Sequence, residues 1–274
     1  MICNPSIREG EALIGSRRID SKCLLMALIT LLALCSRPTL AAPLIPEDAI
    51  KKDDVQAVAK AIREGADVNA FYPNGASLTA LAKAAESDSL KVAKLLIEKK
   101  ADVNLSDQRG GTALKQAALN NSTNVAELLL KQKADANAQD KSGYTPLMFA
   151  SEAGFYDVAK LLIDHGAIID GKRNTYGMTA LFHAIKGRSE TVARLLVERG
   201  ADVNSPMDSE NMHSGTTPLM FAAGYKSLPI VKLLVEHDAN VNARNKAGDT
   251  ALSIAQKAEM NGEVITYLKE HGAL

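Results

Sequence analysis

The hexamer TPLMFA occurs twice, at Thr145 to Ala150 and at Thr217 to Ala222, and this repetition constrains the fold more than any other feature of the chain. Related hexamers TALAKA, TALKQA, TALFHA and TALSIA begin at Thr79, Thr112, Thr179 and Thr250, so six threonines follow one another at spacings of 33, 33, 34, 38 and 33 residues. A second marker, in turn Asn104, Asn137, Asp170, Asn204 and Asn242, stands 25 residues after each of the first five. All variation in length therefore falls between one unit's Asn or Asp and the next unit's Thr. Self-similarity at such a period belongs to stacked architectures in which each unit is one supersecondary element.

The constant part of each unit reads as two short helices. Thr followed by Pro or Ala suits a helix start, because the hydroxyl accepts from free amide groups and Pro costs nothing in the first turn. A break near Asp88, Asn121, Gly154 or Arg188 leads to a second helix such as VAKLLIDHGA, whose Val158, Leu161 and Leu162 fall at the spacing of one apolar face. Gly166 and Gly200 end that helix where a left-handed backbone is cheapest. Lys100, Lys133 and Asp238 occupy the same place, each expected to cost up to about 1 kcal/mol relative to glycine. One helix pair cannot bury its own leucines, but stacking covers them on both sides, at about 1.5 to 3 kcal/mol each.

TPLMFA, the paired leucines and Gly200-Ala201-Asp202-Val203-Asn204 resemble ankyrin repeats, over roughly residues 46 to 274. The resemblance implies an all-α solenoid of helix-turn-helix units with short hairpin-like turns. Its divisions are a cap at 46–69, repeats at 70–104, 105–137, 138–170, 171–204 and 205–242, and a C-terminal cap at 243–274, made polar by Gln256, Lys257, Glu259 and Glu263. The sequence departs from the family at the residue after TPL, usually His. Ala82, Lys115, Met148, Phe182, Met220 and Ser253 stand there instead, so the link made by that His is absent and Met or Phe is expected to pack in its place.

Only 4% of the residues are aromatic and none is Trp, which leaves Leu and Ala to fill a helical core. Lys plus Arg and Asp plus Glu number 32 each, so nothing electrostatic argues for nucleic acid or an anionic membrane. Cys23 to Cys35 form an apolar run of 13 residues, preceded by Arg17, Arg18 and Lys22 and followed by TLAAP. The run is shorter than the roughly 20 residues that span a bilayer, and its layout is that of a secretory signal over 1–41, cut after Ala41. Its removal takes five basic and three acidic side chains and all three cysteines, leaving a near-neutral chain without disulfides.

Nothing reads as a catalytic constellation: there is no GxSxG, HExxH or phosphate-cradling glycine loop. His165, His237 and His271 each end a second helix, where a capping role at the negative end of the helix dipole is expected. Asp238, Asn240, Asn242 and Asp249 alternate as in a calcium loop, but Ala243 stands where such a loop needs Gly, so the segment reads as a repeat turn. No cofactor or metal is expected.

In the resembled family, ligands usually bind a concave surface formed by the turns and the first helices. Carried over position by position, that surface comprises Tyr144, Phe149, Met178, His183, Phe221 and Tyr225 in the middle units. Nearer the N-terminus it comprises Leu78, Lys83, Glu86, Gln116, Leu119 and Asn120. Phe149 and Phe221 either anchor a partner or pack along neighbouring first helices, and the residues leave both open. The longest turn, Ser205 to Thr216, borders the same patch. The reading is a monomeric, exported, non-catalytic module, periplasmic or secreted, that binds another protein. A secreted effector or inhibitor of a foreign protein is the rival. A small-molecule binder or enzyme would have only His183, Lys186 and Tyr225 to work with, too few to name a reaction.

Overall fold

The computed structural model describes residues 43–73, 78–171, 174–208, 214–258 and 262–274. The expected signal, its cleavage site and the three cysteines lie outside these residues, as does Glu259. The described residues hold seven helix pairs and no strand beyond one isolated bridge between Phe71 and Thr79. The first helices of the pairs are α1 (Glu47–Lys51), α3 (Ala80–Glu86), α5 (Ala113–Leu119), α7 (Pro146–Ala153), α9 (Ala180–Lys186), α11 (Pro218–Gly224) and α13 (Ala251–Lys257). The second helices are α2 (Val55–Arg63), α4 (Leu90–Glu98), α6 (Thr123–Lys131), α8 (Tyr156–Asp164), α10 (Glu190–Glu198), α12 (Leu228–Glu236) and α14 (Gly262–Glu270). First helices pack on first helices and second on second along the chain, so each pair touches its neighbours in sequence.

The threonines start the first helices as their chemistry dictates. Thr79, Thr112, Thr145, Thr217 and Thr250 each accept from the amide three residues on, at 3.2 to 3.3 Å. Thr179 has the same extended backbone but makes no such bond. Between the helices, Asp88, Asn121, Gly154 and Arg188 hold φ of 50°, 56°, 75° and 55°, the left-handed break expected there. Asp53 and Asp88 use that position to reach the next unit, where their carboxylates accept from Val92 N–H at 2.8 Å and Val125 N–H at 3.0 Å.

The second marker is the stitch between units. Asn137 Oδ1 accepts from Ile168 N–H at 2.8 Å while its Nδ2 donates to the Gly166 carbonyl at 3.0 Å, so one amide ties the end of α8 to the unit before it. Asn104, Asn204 and Asn242 repeat both bonds with Asp135 and Lys133, Asn240 and Asp238, and Leu274 and Gly272. Asp170 keeps the accepting half, from Asp202 N–H at 2.8 Å.

Apolar burial follows the stack. Val158, Ala159 and Leu162 of α8 are fully covered, and Leu161, expected inside, is only half-buried. The positions that lack the family's His are filled as expected by Met148, Phe182 and Met220, none more than 1% exposed. Lys115 instead reaches Asp140 of the next unit at 2.7 Å, and Ser253 completes a reciprocal cap with Thr250. The three helix-ending histidines point Nδ1 at the carbonyl four residues back, at 2.8 to 2.9 Å.

Candidate functional site

Four of the turns that precede first helices are closed by one residue five positions before the threonine. Asp107, Asp140 and Asn174 each accept, through Oδ1, from the amides two and four residues on. Asn245 accepts from Asp249 N–H at 2.9 Å. Successive turns are joined by single backbone bonds, Lys141 N–H to Arg109 O, Thr175 N–H to Ser142 O and Lys246 N–H to Ser214 O, at 2.9 to 3.0 Å. The result is a row of turn tips beside a row of first helices.

Along that row, α7, α9 and α11 with their turns carry a run of rings. Tyr144 stacks on Phe149 at 5.1 Å between centroids and meets His183 edge-on at 4.9 Å. Phe182, next to His183, meets Phe221 edge-on at 5.3 Å, and Phe221 lies 4.7 Å from Tyr225. Lys115 Nζ sits 4.9 Å from the Phe149 centroid. The ring contacts form two groups, Tyr144–Phe149–His183 and Phe182–Phe221–Tyr225, linked through the adjacent residues Phe182 and His183 of α9.

Four of the six expected face residues, Tyr144, Phe149, Phe221 and Tyr225, are half-buried and show part of each ring to solvent. Met178 and His183, expected on the surface, are 7% and 0% exposed, and this part of the expectation is corrected. Met178 closes the root of its turn and packs with Phe182 and Met207 against Phe221. His183 is covered because Glu152 of α7 and Asn174 of its own turn grip both ring nitrogens. Leu78, expected outside, is 6% exposed. Lys83 and Gln116 are half-buried, while Glu86, Leu119 and Asn120 are exposed. Lys83 is engaged with Glu47 at 3.2 Å and lies 5.5 Å from the Tyr72 ring centroid.

Glu152 binds His183 Nδ1 at 2.8 Å and Lys186 Nζ at 2.7 Å. Burial raises the Glu152 carboxyl, but the hydrogen bonds and charges of Lys186 and His183 outweigh it and hold it below its usual range. Burial lowers the His183 imidazole more than Glu152 raises it. The hydrogen bond to Glu152 raises the Lys186 ammonium further. A cationic, paired lysine and an imidazole with no free nitrogen offer a substrate neither nucleophile nor base. What the arrangement does offer is aromatic surface rimmed by a charged pair.

Some residues of this face escaped the sequence reasoning. Tyr176, at the tip of its turn, is 56% exposed, and Phe71, at the first turn, is 41% exposed beside a cleft of about 260 Å³ formed with Ser106, Asp107 and Gln108. An aromatic next to Gly177 in a polar turn was the available signal for Tyr176. Met207 anchors the long turn, of which 209–213 lie outside the described residues. A cleft of about 460 Å³ between α12 and α14 contains none of the face residues. The Asp238 backbone carbonyl and the side chains of Asn240, Asn242 and Asp249 are engaged in turn and helix contacts, and the described residues hold no His, Cys, Asp or Glu cluster able to bind a metal. No helix among them is long and apolar enough to cross a membrane.

A family model described as "Ankyrin repeats (3 copies)" matches residues 47–140, 124–207 and 205–274. Among solved structures, the human ASB11 ankyrin repeat domain aligns over 83% of this chain and 97% of its own, with TM-score 0.69 and 25% identity. The ankyrin repeat domain of Bcl-3, described as a unique member of the IkappaB protein family, aligns over 81% and 96%, with TM-score 0.69 and 27% identity. No curated protein matches the chain.

Proposed function

Because this chain belongs to the ankyrin-repeat family, a scaffold typical of protein-protein interaction, we propose that it is an exported, non-catalytic module that holds another protein against the concave face of its stack. The observation that carries this reading is the set of half-buried rings Tyr144, Phe149, Phe221 and Tyr225, with Tyr176 exposed at the turn tip of the unit between them. Rings with one face packed and one face wet are anchors that cost little conformational entropy on binding, and the Glu152–Lys186 pair supplies a polar rim. Export rests on the layout of residues 1–41, with the periplasm as the setting in a bacterium.

The test compares companions of the full chain and of a Tyr176→Ala, Tyr225→Ala double variant, captured from the exported fraction of the native cell. The variant is expected to keep its melting temperature within a few degrees and to lose one specific companion by about tenfold or more in affinity, the loss of about 1.4 kcal/mol. Identical companions at equal affinity would sink the proposed face. Recovery of the protein only from the cytoplasm would sink the exported half.

A further inference from the structure

His183 is buried with both ring nitrogens committed. Nδ1 stands 2.8 Å from Glu152 Oε2, an acceptor, so Nδ1 carries a proton. Nε2 stands 3.0 Å from the Asn174 amide nitrogen, and the direction of that bond is settled outside the ring. Asn174 Oδ1 accepts from Tyr176 N–H at 2.9 Å and Met178 N–H at 3.0 Å, so the side chain presents its NH2 to the histidine. Nε2 accepts, and the closed turn requires a neutral imidazole.

A proton on Nε2 would set donor against donor. Turning the Asn174 amide over would relieve that contact but would aim its NH2 at two backbone N–H groups. Either way the turn 174–178 loses the side chain that closes it. The equivalent turn of the preceding unit is closed by Asp140, whose Oδ1 accepts from Ser142 N–H at 2.9 Å and Tyr144 N–H at 3.0 Å, and whose other oxygen faces Lys115.

We propose that His183 and Asn174 form a proton-sensitive latch: with the imidazole neutral, the turn bearing the exposed Tyr176 is closed, and protonation of Nε2 opens it. The charges around the ring set where this happens. Glu152 of α7 favours the proton, Lys186 on α9 with His183 opposes it, and Tyr144 and Tyr225, the residue that caps the end of α11, stand near the Glu152–Lys186 pair. Burial is the largest influence and holds the closed-state imidazole below its ordinary range. The open state regains a value near the ordinary 6.5 and binds more protons, so closure is complete above that pH and is lost progressively as pH falls below it. Acid release of a partner at Tyr176 rests on the binding reading above. The latch does not.

Amide hydrogen exchange of the full chain, corrected for intrinsic rates and compared at about pH 7.5 and about pH 5, decides it. The Tyr176 and Met178 amides are expected to lose about tenfold or more of their protection in acid relative to Ser142 and Tyr144, which serve as the control within the same molecule. In Asn174→Asp the carboxylate keeps both turn bonds and accepts from the imidazolium, so the loss is expected to vanish. His183→Gln is also expected to abolish it. Equal protection of the two turns across the range in the wild type, or an acid loss that survives Asn174→Asp, would overturn the latch. Partner capture is read separately, so failure of the binding reading leaves the exchange result standing.

Discussion

Lys133 holds φ of 63° at the place where Gly166 and Gly200 hold 87° and 91°, and its side chain is exposed. Lysine carries the steric cost of that backbone, and its carbonyl meets Asn104 Nδ2 at 3.4 Å, against 3.0 Å between Asn137 and Gly166. A Cβ at Gly166 or Gly200 would touch nothing within 4 Å, so the conformation alone decides the preference. Lys133→Gly is expected to stabilise the chain by up to about 1 kcal/mol, partly offset by the greater freedom of glycine when unfolded, and chemical denaturation measures it. This position was legible in the sequence, since a helix end is a local event set by backbone sterics. The burial of His183 was not. Its covering groups include Glu152, 31 residues away, and which side of a first helix becomes covered depends on how its neighbours seat.

At the scale of the element, Gly187 decides how closely α9 approaches α7. Its φ of −75° suits any residue, yet a Cβ there would stand 1.9 Å from the Glu152 carbonyl oxygen and 2.7 Å from its carbon. The backbone cannot yield as a flexible side chain would, so α9 must shift. Gly187→Ala is expected to cost about 1 to 3 kcal/mol and to lengthen the Glu152–His183 contact, seen as a lower melting temperature and as movement of the His183 ring resonances. Periodicity placed a break near Arg188, and a glycine beside a break needs no special reason. Its actual reason is a neighbour that only the folded stack supplies. The same holds for Phe149 and Phe221, for which the residues left packing and exposure open. The rings do both, packing against Tyr144 or Phe182 and the core while staying only half-buried.

For the whole molecule, cohesion is carried by nearest neighbours, so the effect of a stitch depends on its place. Asn137 ties interior units and Asn242 ties only the last pair. Asn137→Ala removes two hydrogen bonds and is expected to lower global stability by about 2 kcal/mol, whereas Asn242→Ala is expected to raise amide exchange in α14 and leave α5 to α8 protected. Equal global losses from both would contradict nearest-neighbour coupling. The recurrence of Thr and Asn by itself determined the unit, its two helices and the stacked fold, because capping and left-handed breaks are local and repeat wherever their residues repeat. What each Asn ties, which rings stay wet and why Asn174 meets a neutral His183 were decided only by the tertiary structure. Those contacts join residues about one repeat apart, or turn on which side of a helix its neighbours cover, and neither is written in the spacing.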